Sequence, residues 1–196
     1  MNPFKRIQYN APVTLTFTLA ALTALVFTHI TGGQIVPLLF SVYRAPVSDP
    51  FMYLRLFGHV LGHADINHYF GNFVIILLVG PMLEEKYGGK WLALMMAFTA
   101  LFTGLLFMLF APANAMLLGA SGIVFMLMLL GSFTNLQKGR VPLTLLLALA
   151  VFIGREVLSG VTSTGNISHA THIIGGICGA LFGFLINRDK MLRDGG

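Results

Sequence analysis

The chain has 196 residues, of which 56% are hydrophobic and 10% charged, with a net charge of +5 and one cysteine. An ordinary soluble domain carries about 25% charged residues, so this composition excludes one, and a lone Cys178 excludes a disulfide framework. The basic excess also fails to describe a nucleic-acid surface, because its placement follows membrane topology instead.

Apolar runs near the spanning length of about 20 residues recur along the chain. They predict an all-α membrane protein with six spans, near 12–31, 66–83, 91–111, 117–134, 141–158 and 168–187. If the N-terminus is cytoplasmic, the inner segments hold Lys5, Arg6, Lys86, Lys90, Lys138, Arg140, Arg188, Lys190 and Arg193, and the outer ones only Arg44, Arg55 and Arg155. That asymmetry is the one the positive-inside rule demands, with both termini cytoplasmic. The whole chain, 1–196, reads as a single membrane domain with no soluble domain attached.

Span one follows Lys5-Arg6 but is too long for a signal-peptide core; His29 near its outer end reads as an interfacial residue. The outer connection, residues 32–65, carries Pro37, Pro46 and Pro50 among many apolar side chains. It is expected to lie in the interface as short amphipathic helices, with Tyr43 and Tyr53 near the headgroups. Span two opens with His68 and Asn72, spaced i, i+4 and therefore on one helix face. Glu84 and Glu85 mark its cytoplasmic end, Glu84 as the brace of a neighbouring cytoplasmic loop.

Span four opens with Gly119-Ala120-Ser121-Gly122, and Phe125 lies one turn beyond Ser121 on the same face. Span five is the most weakly defined: Pro142 starts it and Arg155-Glu156 interrupts its outer end, so it is the expected lateral gate for a substrate helix. Span six opens with His169-Ala170-Thr171-His172, and Gly175, Gly179 and Gly183 then repeat every four residues. With Gly119 and Gly122 they form a small-residue seam that lets two backbones approach closely.

Spans two, four and six all run from outside to inside. Ser121 and His172 each sit about four residues into their spans, on the order of 6 Å below the helix start, and His68 and Asn72 lie at similar depth. Buried polar groups cost stability in a bilayer, so four of them at one level of one leaflet point to a shared site. A serine hydroxyl needs a base, which His172 supplies. A tetrahedral intermediate needs preorganised donors, which His68, Asn72 and the Ser121 backbone amide at a helix N-terminus supply. Phe125 is placed to pack against the arriving imidazole. Acyl transfer is the natural chemistry.

These motifs resemble those of the rhomboid intramembrane serine proteases. Gly119-Ala120-Ser121-Gly122 is similar to the family's GxSG motif, and His172 with Gly175 and Gly179 to its last-span histidine and glycine seam. His59, His63, His68 and Asn72 match the pattern HxxxHxxxxHxxxN, and Glu84 the glutamate that closes the same span. The resemblance covers residues 12–187 and implies the minimal six-helix bacterial type, multi-pass in the inner (plasma) membrane. It implies a Ser121–His172 dyad with His68, Asn72 and the Ser121 amide as oxyanion hole, no cofactor and no metal. Its implied partners are transmembrane protein substrates, cut near the outer membrane face. His59 and His63 would brace the outer loop. Arg55 matches the arginine of a loop Trp-Arg pair, although Leu54 stands where tryptophan is usual.

Two other classes compete. A non-catalytic binder of membrane clients would have no use for an intact Ser121 and His172. A histidine-lined transporter or metal protein would use His59 and His63 at i, i+4, but leaves Ser121-Gly122 unexplained.

Overall fold

The computed structural model describes residues 8–134, the helical positions 143, 144, 146, 147, 150, 151 and 154, and residues 166–193, where side chains are described for 171–186. The expected span 141–158, the gate assigned to it, and the side chain of His169 therefore lie outside the described residues.

What is described is helical apart from its connections and one two-residue bridge. The elements are α1 (Pro12–Ile30), a single π-helical turn (Val36–Phe40), α2 (Pro50–Gly58), α3 (Ile66–Tyr87), α4 (Gly89–Phe110), α5 (Ser121–Ser132) and α6 (Asn166–Arg193). Three of them, α1, α3 and α4, are long and apolar enough to cross a membrane, and α5 and the 171–186 part of α6 are shorter apolar helices. The core lies among α3, α4 and α5, with Phe73, Ile76, Leu83, Leu92, Ile123, Met126 and Leu130 almost wholly buried.

Two ends differ from the expectation. Helix α3 runs through Pro81 to Tyr87 and stops at Gly88, whose φ of +83° no ordinary helix residue adopts. Helix α5 starts at Ser121 rather than near 117. Gly119 has φ +121°, which breaks any helix there, and Leu117 instead pairs in extended form with Val42. The two backbone bonds of that bridge measure 2.8 and 2.9 Å and tie the long connection to the segment that leads into Ser121.

That connection is a packed unit. Asp49 caps α2 by accepting from the Phe51 amide at 2.9 Å, with Pro50 in the first turn. Arg55, 2% exposed, forms an ion pair with Asp49, and its guanidinium lies 4.4 Å over the Tyr43 ring. The arginine holds the Asp49 carboxyl below its usual range. Tyr43, expected near the headgroups, is thus the aromatic partner of Arg55, whereas Leu54 is exposed. A side chain at Gly58 or Gly62 would collide with the carbonyls of Leu39 or Phe40, so the π turn rests directly on these glycines.

At the far end of α3, Glu84 is 6% exposed and holds the start of α1 instead of a loop. Its two oxygens accept from the amides of Val13 and Thr14 at 2.8 and 2.9 Å, and from the Thr14 hydroxyl at 2.8 Å. The reason is local: the Ala11 methyl has no acceptor to cap α1, so the first turn takes a carboxylate from another helix. Two residues on, the Lys86 ammonium donates to the Thr134 carbonyl just beyond α5. Opposite charges on α3 therefore meet the positive end of one neighbour and the negative end of another. Glu84→Ala is expected to lower unfolding stability by about 1–3 kcal/mol, since it strands buried donors, with Glu84→Gln recovering part. Thermal unfolding in detergent checks this, and an unchanged midpoint in Glu84→Ala would refute it.

Candidate active site

Ser121 is the first residue of α5, where amides have no partner within the helix. His172 lies on the second turn of α6. Side by side, the two helices form a seam with almost no space in it. A side chain at Gly175 would overlap the Gly122 carbonyl oxygen, and one at Gly179 the Met126 carbonyl oxygen. Gly183 faces the Phe133 ring, and Gly122 faces Thr103 and the Thr171 carbonyl. The stripe expected to draw two backbones together does so.

One cavity of about 460 Å³ opens at this seam. Ser121, His172, His68 and Asn72 all line it, along with Phe125, Thr171 and Leu118. Phe125 is 2% exposed, and its ring centroid is 4.7 Å from that of His172, inclined by 41°. The two aromatic groups support one another as expected. Ser121 heads its helix rather than lying one turn into it, and a bridge residue, Leu117, followed by a bend at Gly119–Ala120 carries the chain to that level.

Gly119 shapes the wall. A side chain there would begin 2.8 Å from His68 Cε1 and Nε2, so the positive φ and the close imidazole both require glycine. His68 Nδ1 accepts from the Ala64 amide at 3.5 Å, which leaves the proton on Nε2, the edge that faces Gly119. Asp65 caps α3 by accepting from the His68 amide at 2.8 Å. Asn72 is more committed than its sequence position suggests: Nδ2 donates to His63 Nε2 at 3.2 Å and to the His68 carbonyl at 3.1 Å.

His59, His63, Arg55 and Glu84 do not line the cavity. His59 is 1% exposed; its carbonyl accepts the Gly119 amide at 2.9 Å, its Nδ1 faces the Arg55 carbonyl at 3.2 Å and its Nε2 lies 3.4 Å from the Thr103 hydroxyl. His63 is fully buried beside Asn72. These two rings serve separate partners, and among the described residues no group of three or more His, Cys, Asp or Glu converges as a metal site. Of the acidic residues expected on the outer side, Asp49 and Asp65 are engaged as helix caps, and Glu156 lies outside the described residues.

Sequence reasoning missed the partners of Tyr43 and Ala120, and missed Thr103 and the Val42–Leu117 bridge altogether. Asp49-Pro50 did carry a signal, a capping residue followed by proline at the first helical position. Tyr43 and Thr103 carried none, because their partners are 12 and 44 residues away in the chain.

Burial pushes His59 and His63 down to about 4 from the ordinary 6.5. Between those values the unfolded chain binds more protons than the folded one, so stability falls as the pH drops from about 6.5 to about 4. Above that window and below it, these two groups add no slope. Unfolding midpoints measured in detergent across the window check this, and a flat profile would contradict it.

An apolar helical bundle with a cavity between glycine-packed helices, lined by both a serine and an imidazole, defines an integral membrane protein. A family model described as the Rhomboid domain matches residues 50–189, well over half of the chain. The chain belongs to the rhomboid family. Among curated proteins it is similar to Rhomboid-like protein 11, chloroplastic, of Arabidopsis thaliana, with 25% identity over 139 residues, covering 64% of this chain and 50% of that protein. The chain spans about half the length of that curated relative.

Proposed function

We propose that this protein is an intramembrane serine endopeptidase that cleaves transmembrane-helix substrates near the outer membrane face. The observation that carries the reading is the convergence of Ser121, His172, His68 and Asn72 on one cavity. In this reading His172 takes the hydroxyl proton as Ser121 Oγ attacks the scissile carbonyl. The oxyanion accepts from His68 Nε2–H, the Ser121 backbone N–H and Asn72 Nδ2–H, the last shared from its bond to the His68 carbonyl. The intermediate collapses, the C–N bond breaks, and the leaving amine takes the proton from His172. Water, activated by the same imidazole, then hydrolyses the acyl-enzyme.

The fold proposal accompanying it is a single domain of six spans in a plasma membrane, with both termini cytoplasmic. Helices α1, α3, α4, α5 and α6 would be five of the spans, and residues 141–158 the remaining one. The positive-inside distribution of basic residues supports that orientation. Purified protein in detergent should cleave single-span substrates and react with a fluorophosphonate at Ser121. Equal cleavage by wild type and Ser121→Ala would refute the reading, and absence of both cleavage and labelling would favour a binder of membrane clients.

A further inference from the structure

His63 touches both sides of the expected oxyanion hole while lying outside the cavity. Its Nδ1 faces the Leu61 carbonyl at 3.1 Å, an atom that only accepts, so Nδ1 carries the proton. Its Nε2 is therefore a lone pair, approached by Asn72 Nδ2 at 3.2 Å and by the Ala120 amide at 3.5 Å. One of these donors belongs to α3; the other is in the residue immediately before Ser121.

The consequence concerns the orientation of the amide. With an acceptor at Nε2 to match the His68 carbonyl, Asn72 can give both N–H groups, which leaves Nδ2 3.9 Å from where a Gly119 side chain would begin, on the wall beside Ser121. With a proton at Nε2, the amide would either press N–H against N–H at His63 or turn its oxygen onto the His68 carbonyl, which now takes its second N–H at 3.1 Å, and either arrangement displaces the donor from the wall beside Ser121. The Ala120 amide would lose its acceptor in the same event, and with it the aim of the next peptide, which holds the Ser121 N–H.

Resting on the protease reading above, we propose that His63 is a positioning residue for the oxyanion hole: its neutral Nδ1–H tautomer offers one lone pair that orients both the Asn72 amide and the Gly119–Ala120 peptide that leads into Ser121. The surroundings favour that form. His63 is fully buried, with the rings of His68, Tyr69 and Phe73 at 4.9, 5.6 and 5.5 Å. Desolvation outweighs the opposing pull of the Leu61 carbonyl and, more weakly, of the Asp65 charge, and holds the ring neutral, down to about 4.

The test compares His63→Phe, which keeps a ring among those aromatic neighbours but has no acceptor, with His63→Gln, which returns an acceptor at about the same reach. Expected is a fall in kcat of about 10²-fold in His63→Phe, the loss typical of one oxyanion donor, with KM changed less than about twofold and most of kcat restored in His63→Gln. Wild-type kcat in His63→Phe, or equal losses in both variants at unchanged unfolding midpoints, would overturn the proposal. Nitrogen NMR of histidine-labelled wild-type protein is independent of any variant's folding. Protonated Nδ1 and bare Nε2 at His63 are expected at neutral pH, and the reverse tautomer overturns the proposal. Should wild type show no Ser121-dependent cleavage, the protease reading fails, while the tautomer measurement still decides what His63 does to Asn72.

Discussion

His172→Ala is expected to lower kcat by about 10⁴-fold or more while substrate binding stays near wild type. A hydroxyl without its base is a poor nucleophile, and members of such a unit lose nearly all of their effect together. The double variant Ser121→Ala/His172→Ala should then be no slower than either single one, because each removal already abolishes the covalent route. Single-turnover cleavage of a transmembrane substrate measures all three. Additive losses, or a His172→Ala enzyme within tenfold of wild type, would mean that these two residues do not act as a dyad. The ring of Phe125, 4.7 Å from that of His172, shares the task of holding the imidazole, so Phe125→Ala should cost less than loss of the base itself.

The second large effect concerns the seam. Gly175→Val and Gly179→Leu are expected to separate α5 from α6 and to abolish measurable activity along with part of the stability. The reason is the identity of the obstruction: each new side chain would meet a backbone carbonyl of α5, that of Gly122 or Met126, and backbone has no rotamer to yield. Overpacking typically costs about 1–3 kcal/mol, and a shift of about 1 Å between reacting groups can cost about 10² in rate. Gly131→Ala is the control within α5, where the new methyl would meet only Val79 at an ordinary 3.6 Å. It should raise stability by about 0.5–1 kcal/mol through helix propensity. Thermal unfolding and fluorophosphonate labelling rates separate the outcomes, and a Gly175→Val protein of wild-type stability and labelling would contradict the packed seam.

Much of this molecule was legible in its residues. Apolar runs mark the helices because a bilayer rejects unpaired backbone polar groups, which forces long continuous helices wherever the chain crosses. The polar islands at 119–122 and 169–172 stand out for the same reason, and the i, i+4 relation of His68 and Asn72 follows from helix geometry alone. The glycine spacing announced a close helix pair. Its partner was inferred from the serine, and the structure brings Gly175 and Gly179 onto α5 as expected.

What sequence by itself determined, then, was chemistry and local form: an α-helical membrane protein, a serine and an imidazole near helix starts, and the rhomboid resemblance that the family match sustains. Only the tertiary structure decided that Glu84 caps α1, that Tyr43 and Asp49 hold Arg55, that α5 begins at Ser121, and that His63 stands behind Asn72. Periodicity and propensity report on neighbours within about one helical turn. The partners of Glu84 and of the Ala120 amide lie 71 and 57 residues away, and such pairs exist only after packing has brought separate helices together.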